Sequence, residues 1–153
     1  MSPTKELSVG AMAPDFSLSD EQGSRIRLSD FRKKQAVVLI FYPGDLTPGC
    51  TLQLCSIRDD WKNFVTNQIA VFGINHANQV SHQKFSKKYS FPFPLLIDAD
   101  KKVSAQYGAI QKLFSATVIR RSVVGIDKDG VIRFLKRGMP KDAEILKIMK
   151  SYS

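Results

Sequence analysis

The chain has 153 residues, a length that suits one domain, residues 1–153, with a single sizeable core. Its formal net charge of +9 comes from basic residues scattered along the chain, several of them in pairs, which indicates a solvated surface rather than specific nucleic-acid recognition. No stretch is typical of a signal peptide or long enough to cross a bilayer, so we expect a cytoplasmic protein with no membrane partner.

The N-terminal part of the chain predicts a β-hairpin followed by a short turn of helix. Residues 16–18 and 26–28 flank the turn sequence Glu-Gln-Gly at 21–23. Ser29 or Asp30 is the expected cap of the helical turn that follows.

A cysteine comes soon after the next predicted strand, where a helix should begin. Residues 36–42 (AVVLIFY) are β-branched and aromatic, which predicts a strand buried on both faces. After a Pro-Gly turn, Thr47 is a good N-cap and Pro48 suits the first helical position. Cys50 then lies in the first turn, where unpaired N–H groups and the helix dipole favour the thiolate. The pattern therefore predicts a reactive nucleophile.

The rest of the chain alternates between helical and strand patterns. The predicted elements are a helix over 47–66, a strand over 69–74, a helix over 80–89, a short strand or extended link over 95–97, a short helix over 102–107, a hairpin of strands 123–127 and 131–135, and a C-terminal helix from Asp142. Apolar residues at helical spacing in the first and last helices are Leu54, Ile57, Trp61, Phe64 and Val65, and Ile145, Leu146, Ile148 and Met149. This order resembles the thioredoxin fold, an α/β fold with a mixed central β-sheet flanked by helices, here with an N-terminal β-hairpin extension.

The stretch around Cys50 resembles the active site of the peroxiredoxins, whose pattern Pro-x-x-x-Thr-x-x-Cys is found here as Pro43, Thr47 and Cys50. In particular it resembles the Q-type or bacterioferritin-comigratory-protein branch, which has a second cysteine five residues on, matched by Cys55. Residues 121–127 (RSVVGID) resemble the arginine-led strand of the family, and residues 13–16 (APDF) resemble its N-terminal segment. The resemblance spans roughly residues 9–149.

The resemblance implies a thiol-dependent peroxidase that reduces hydrogen peroxide and organic hydroperoxides without a metal, haem, flavin or other cofactor. Cys50 would be the peroxidatic cysteine, and Cys55 would be the resolving cysteine that closes an intramolecular disulfide. Thioredoxin or a similar dithiol protein would be the reductant. Q-type members are often monomers, so a monomer is expected here.

The resemblance also implies roles for the residues around the cysteine. The Thr47 hydroxyl would hydrogen-bond the peroxide and the thiolate, and Pro43 would shield the site from water. The backbone N–H groups of Gly49 and Cys50 would receive the peroxide oxygens.

An arginine is expected to keep the thiolate charged. The pattern Arg-x-x-x-x-Ile-Asp selects Arg121 rather than its neighbour Arg120. The sequence departs from the family at two places. Gln53 stands where many peroxiredoxins have a glutamate, and the Val-Gly pair at 124–125 replaces a usually bulkier pair, which predicts looser packing behind the arginine.

Other chemistries for the two cysteines are less well supported by the sequence. A cysteine hydrolase would need a histidine such as His76 to activate Cys50, but no partner carboxylate or oxyanion motif accompanies it. A zinc site of Cys50, Cys55, His76 and His82 has unfavourable spacing. A non-enzymatic thiol redox-sensor or interaction module is the third alternative, and catalytic turnover with an electron donor would separate it from a peroxidase.

Overall fold

A computed structural model of the protein describes residues 7–152, apart from the side chain of Cys50. Its elements are β1 (Ser17–Asp20), β2 (Arg25–Arg27), β3 (Ala36–Phe41), α1 (Pro48–Asp59), α2 (Trp61–Thr66), β4 (Ile69–Asn75), α3 (Gln79–Tyr89), β5 (Leu95–Ile97), α4 (Lys102–Gln106), β6 (Ile110–Leu113), β7 (Ala116–Ile119), β8 (Ser122–Ile126), β9 (Ile132–Arg137) and α5 (Asp142–Met149), with 3-10 turns at Leu28–Phe31 and Lys150–Tyr152. No helix within residues 7–152 is long and apolar enough to span a bilayer.

Seven strands form one mixed sheet in the order β2-β1-β5-β4-β3-β8-β9. Strands β3, β4 and β5 are parallel to one another, and the remaining pairings are antiparallel. This is the predicted α/β architecture, a mixed central sheet flanked by helices, in which the N-terminal hairpin extends the sheet beyond β5.

Strand β3 lies inside the sheet, between β4 and β8, and all six of its residues are buried. Alternate residues point to opposite faces of a strand. Accordingly, Val38 and Ile40 join the core beneath α1, α3 and α5, whereas Leu39 and Phe41 join a second core around Tyr107. The prediction of a strand buried on both faces is confirmed.

The sheet topology determines which loops meet. Parallel strands β3 and β4 end at the same edge of the sheet, and the segment after β3 leads into α1. Because β8 runs antiparallel to β3, its first residue, Ser122, lies opposite Phe41 at the end of β3. The segment that precedes β8 therefore arrives beside the start of α1.

Several predicted elements differ from the observed ones. The helix predicted over 47–66 is two helices, because the helical conformation is interrupted at Asp60, which ends α1 and precedes α2. Aspartate is unfavourable inside a helix and at its C-terminal end but suits the start of a new one. The hairpin of β6 and β7 was not predicted. The 3-10 turn forms as expected, but Arg27, with no side-chain cap, precedes it in place of Ser29 or Asp30.

Packing was also predicted incorrectly at three positions. Val65 and Ile148, assigned to apolar helix faces, are exposed. The packing near Gly125 is tight rather than loose, because a Cβ there would lie 2.5 Å from Met149 Sδ and 2.9 Å from Phe134 Cβ. The side chain of Met149 in α5 therefore occupies the space that a bulkier residue would fill.

Candidate active site

The loop between β3 and α1 delivers Cys50 to the N-terminal turn of a helix. Thr47 occupies the N-cap position and Pro48 the first helical position, as predicted. The Thr47 side chain makes no capping bond to the helix; its hydroxyl donates to the carbonyl oxygen of Gly44 at 3.0 Å. The N–H groups of Gly49 and Cys50 precede the first bond along the helix, from Thr51 N–H to Thr47 O at 2.9 Å. The helix start therefore presents beside Cys50 N–H groups that have no partner within the helix.

Arg121 reaches this helix start from the segment before β8. Its Nη1 donates to Oε1 of Gln53, a buried side chain of α1, at 2.8 Å. Its Nη2 lies 3.2 Å from the position that a Cβ on Gly49 would occupy, so the absence of a side chain at Gly49 allows this close approach. Arg120 is exposed to solvent, while Arg121 is half-buried. The structure thus brings Arg121, and not Arg120, to the first turn of α1.

The backbone around Arg121 is held by strand β9. The N–H of Gly138 donates to the Arg121 carbonyl at 2.7 Å. Arg137 Nη1 donates to Ser122 Oγ at 2.9 Å, and Ser122 Oγ donates to the Arg120 carbonyl at 2.9 Å. These bonds fix the turn from which the guanidinium extends.

Pro43 precedes the first turn of α1 in the sequence and Cys55 follows it. The two residues have different environments. Pro43 is exposed at the beginning of the loop, next to the buried Tyr42. Cys55 is half-buried in α1 and packs against the core beneath this helix. Burial raises the pKa of the Cys55 thiol, Arg58 opposes this shift, and Asp59 adds to it. Cys55 is therefore a poorer thiolate than an ordinary cysteine in the folded state.

The sequence is similar to those of known proteins over most of its length. The model of the AhpC/TSA family matches residues 9–135. The chain belongs to the AhpC/TSA family. It is 35% identical to peroxiredoxin Bcp of Bacillus subtilis, an alignment that covers 96% of this chain and 98% of that protein. It is 39% identical to a chloroplastic peroxiredoxin Q of Oryza sativa subsp. japonica, over 95% of this chain and 68% of the relative.

Solved structures of peroxiredoxins have the same fold. Peroxidoxin BcpB from Mycobacterium tuberculosis superimposes with a TM-score of 0.89 at 29% identity, covering 97% of this chain and 99% of that one. A PrxQ variant from Xylella fastidiosa gives a TM-score of 0.88 at 26% identity, covering 96% and 98% of the two chains. As a peroxiredoxin of the Q and Bcp type, the protein is a thiol-dependent peroxidase that uses a hydroperoxide substrate and a thiol reductant.

The two histidines lie in different environments, and one of them has a partner that the sequence did not reveal. His76 is exposed after β4. His82 is fully buried in α3, with Nδ1 at 2.6 Å from Asp45 Oδ2 and Nε2 at 2.9 Å from the Leu96 carbonyl. Both ring nitrogens of His82 are engaged, so neither is available to ligate zinc or to activate a cysteine.

Sequence reasoning missed two contributors to this region. Gln53 was noted only as a departure from the family, yet it is the partner of the Arg121 guanidinium. Asp45 was not singled out, although it lies within the motif stretch that contains Pro43, Thr47 and Cys50. The position of Asp45 between a buried strand and a catalytic motif was the one signal in the sequence that it has a role. Its partner could not be inferred from it, because His82 lies 37 residues away in the sequence.

Proposed function

We propose that Cys50 is the peroxidatic cysteine of this thiol peroxidase. The observation that carries the proposal is the convergence of Arg121 and Gly49 on the helix start that holds Cys50, where the first N–H groups have no partner within the helix. A cation and a helix N-terminus both favour the thiolate, which is the reactive form. The thiolate sulfur attacks one peroxide oxygen, an S–O bond forms, and the O–O bond breaks. The leaving alkoxide or hydroxide takes up a proton, and Cys50 is left as a sulfenic acid.

The neighbouring groups have separate tasks in this step. Arg121 keeps the sulfur ionised and, held by Gln53, donates toward the charge that develops on the oxygens. The Thr47 hydroxyl, which donates to Gly44 O without a bound substrate, retains its lone pairs for a donor such as the hydroperoxide O–H. The N–H groups of Gly49 and Cys50 bind the peroxide oxygens, and Pro43 shields the loop from water.

Cys55 resolves the sulfenic acid by an intramolecular disulfide. Its sulfur attacks the Cys50 sulfur, an S–S bond forms, and the sulfenic oxygen leaves as water. Five residues along an α-helix separate the Cα atoms by about 8–9 Å, on faces about 140° apart. A disulfide needs Cα atoms roughly 4.4–6.8 Å apart. The first turns of α1 must therefore unwind before the bond can close.

The structure identifies the contacts that unwinding of α1 through Arg58 would break. Ser56 Oγ donates to Asp142 Oδ2 at 2.6 Å, and Arg58 Nη1 donates to the Tyr89 carbonyl at 2.7 Å. Leu54, in the same helix, is fully buried. The same unwinding separates Gln53 from Arg121, so the peroxide site and the disulfide cannot coexist. An oxidised molecule must be reduced before its next turnover.

The remaining features follow from the resemblance to Q-type peroxiredoxins. Thioredoxin or a similar dithiol protein reduces the Cys50–Cys55 disulfide, and the protein is a cytoplasmic monomer formed by one domain, residues 1–153. Organic hydroperoxides are substrates as well as hydrogen peroxide. A cleft of about 410 Å³ lined by Leu52, Gln53 and Met139 supports this, because Leu52 and Met139 expose apolar surface beside the Arg121 partner.

The test is peroxide consumption coupled to thioredoxin, with wild type, Cys50→Ser and Cys55→Ser. Cys50→Ser should abolish single-turnover peroxide consumption. Cys55→Ser should permit one equivalent of oxidation but stop turnover with thioredoxin. Stoichiometric peroxide consumption by Cys50→Ser would refute the assignment of Cys50. Oxidation of wild type without turnover under any dithiol donor would instead favour a redox-sensor module.

A further inference from the structure

A buried carboxylate lies at the base of the loop that leads into α1. Asp45 Oδ1 accepts hydrogen bonds from Tyr42 Oη at 2.7 Å and Asn75 Nδ2 at 3.0 Å. Its Oδ2 accepts from Ser81 Oγ at 2.8 Å and contacts His82 Nδ1 at 2.6 Å. The Asp45 side chain is only 3% exposed. We call these five residues the Asp45 cluster; it joins the loop to the ends of β3 and β4 and to α3.

The hydrogen bonds of this cluster identify Asp45 as its charged acceptor. His82 Nε2 faces a carbonyl oxygen, which can only accept, so Nε2 carries a proton. Burial alone would raise the pKa of Asp45, but the hydrogen bond and charge of His82, with the bonds from Tyr42 and Ser81, lower it below the ordinary value. Asp45 is therefore a carboxylate whose two oxygens are both engaged by its partners.

Leu46, the residue after Asp45, shows how firmly the loop between β3 and α1 is held. Leu46 has φ of +61°, a left-handed conformation that is unfavourable for a residue with a Cβ atom, and it is partly exposed. Such a conformation persists only where the flanking residues impose it. Asp45 on one side is fixed by its cluster, and Thr47 on the other begins the helix that carries Cys50.

We propose that Asp45, paired with His82, is a positioning residue of the peroxidase: it fixes the loop so that Thr47 and the first N–H groups of α1 meet the hydroperoxide in one orientation. This inference rests on the proposed role of Cys50. Asp45 acts through the backbone of the loop and does not touch the reacting oxygens. Orientation matters for peroxide, which must be aligned with the sulfur, but much less for a reagent that needs only an exposed thiolate.

The experiment compares two reactions of Cys50 in the reduced, full-length chain. The first is oxidation by hydrogen peroxide in stopped flow, followed by fluorescence of the single Trp61. The second is alkylation by iodoacetamide, with Cys50 located by peptide mass spectrometry. Asp45→Asn should lower the peroxide rate constant about 10–100-fold and change the alkylation rate less than about 3-fold. Asp45→Asn combined with His82→Gln should cost about as much as Asp45→Asn alone, because the two residues act as a unit.

Asp127 supplies the matched control. It is also a buried aspartate, accepting bonds from Asp129 N, Val131 N and Arg133 Nε, but it follows β8 at the opposite end of the sheet. Asp127→Asn should destabilise the fold and leave the ratio of the two rates unchanged. If Asp45→Asn does not fold, Ser81→Ala removes one donor and keeps the carboxylate; a selective 2–10-fold loss of the peroxide rate is then expected, about that of one hydrogen bond.

The outcomes distinguish failure of the positioning role of Asp45 from failure of the proposed role of Cys50. A wild-type peroxide rate in folded Asp45→Asn, or in Ser81→Ala if Asp45→Asn does not fold, would overturn the positioning role. Equal losses of peroxide and iodoacetamide rates in that variant would overturn it as well, since they would indicate an effect on the thiolate. Failure of wild-type Cys50 to react with peroxide at all would instead overturn the proposed function.

Discussion

Helix α1 lies between two side-chain clusters, and the pKa values of one carboxyl group in each, Asp45 and Asp142, are shifted in opposite directions. At its start, the bonds to Asp45 lower that pKa despite burial. At its end, Asp142 in the first turn of α5 accepts from Ser56 and faces Asp60 and Asp59; we call these four residues the Asp142 cluster. Burial, then the bond with Asp60, raise the pKa of Asp142 to about 6, against the opposing bond from Ser56. Both side chains are partly or wholly buried, so the partners of each carboxyl group decide whether its pKa rises or falls.

The difference suits the unwinding of α1 that we propose for each turnover. The loop before α1 is held by the buried carboxylate of Asp45, and loss of its hydrogen-bond partners would leave an uncompensated charge. The end of α1 is held by apolar burial and by the bond from Ser56 to Asp142, a carboxyl group whose pKa is raised by burial and by its neighbour Asp60. We therefore expect changes near Asp45 to affect the attack on peroxide, and changes near Asp142 to affect unwinding.

The largest expected effect concerns apolar burial in the second half of α1. Leu54→Ala removes a fully buried side chain and should lower the free energy of unfolding of the reduced protein by about 2–5 kcal/mol. Leu52, two residues earlier, is 67% exposed, so Leu52→Ala should change that free energy by less than about 0.5 kcal/mol. Urea unfolding measures both. Similar losses for the two variants would show that Leu54 does not anchor the helix.

The next effect tests the two neighbouring arginines. Arg121→Lys keeps a positive charge but loses the planar set of donors that engages Gln53. It should slow peroxide oxidation of Cys50 by about 10–100-fold while the fold persists, in keeping with the loss of one hydrogen bond that involves a charged group. Arg120→Lys should have little effect, because that side chain is exposed. Small, equal effects in stopped-flow measurements would make Arg121 a structural residue only.

The Asp142 cluster predicts a pH dependence of stability. The ordinary pKa of 3.8 becomes about 6 in the folded protein. The stability contributed by protonated Asp142 is therefore fully present below the unfolded value and is lost as the pH rises through about 6. After discounting for solvent screening, Asp142→Asn should remove this dependence and stabilise the protein at pH 7.5 by about 1 kcal/mol, or roughly 2–4 °C in Tm.

Thermal unfolding at several values between pH 4 and pH 7.5 checks this prediction. Glu144→Gln is the control, because Glu144 occupies the same first turn of α5 but forms an exposed ion pair with Lys136. It should retain the wild-type slope. An Asp142→Asn protein with the wild-type slope would mean that another group carries the pH dependence.

The smallest effects come from one hydroxyl in each cluster. Ser56→Ala removes the 2.6 Å bond to Asp142 and should speed disulfide closure a few-fold, because one net hydrogen bond contributes about 1 kcal/mol. Ser81→Ala removes the 2.8 Å bond to Asp45 and should slow peroxide attack without speeding closure. Rapid-quench measurement of both steps distinguishes them. If the two variants affected the same step, the clusters would not have separate roles.

The sequence predicted the parts of the fold that have local signals. Strand β3 was evident from an apolar run bounded by turn residues, and the β8–β9 hairpin from the Asp-Gly turn. The β6–β7 hairpin was missed because its turn has no glycine or asparagine; Phe114 takes a positive φ of 59° there. The break at Asp60 was missed because the apolar spacing continues through it.

The residues of the candidate site that are close in sequence were predictable, but the contacts between residues distant in sequence were not. Thr47, Pro48 and Cys50 form one local motif, so their placement at a helix start followed from capping preferences. The family spacing selected Arg121 over Arg120, and the fold places those neighbours in different environments. The pair of Asp45 and His82, and the contact of Ser56 with Asp142 across 86 residues, depend on tertiary packing that no local pattern encodes.

The central claim is that α1 unwinds when the enzyme is oxidised while the Asp45 cluster stays folded. Hydrogen exchange on the reduced and peroxide-oxidised forms tests it most directly. In the oxidised form, amides of residues 47–58 should lose protection, whereas those of α3, which carries Ser81 and His82, should keep theirs. A monomer with a Cys50–Cys55 disulfide and a fully protected α1 would contradict the account, as would a disulfide that joins two chains.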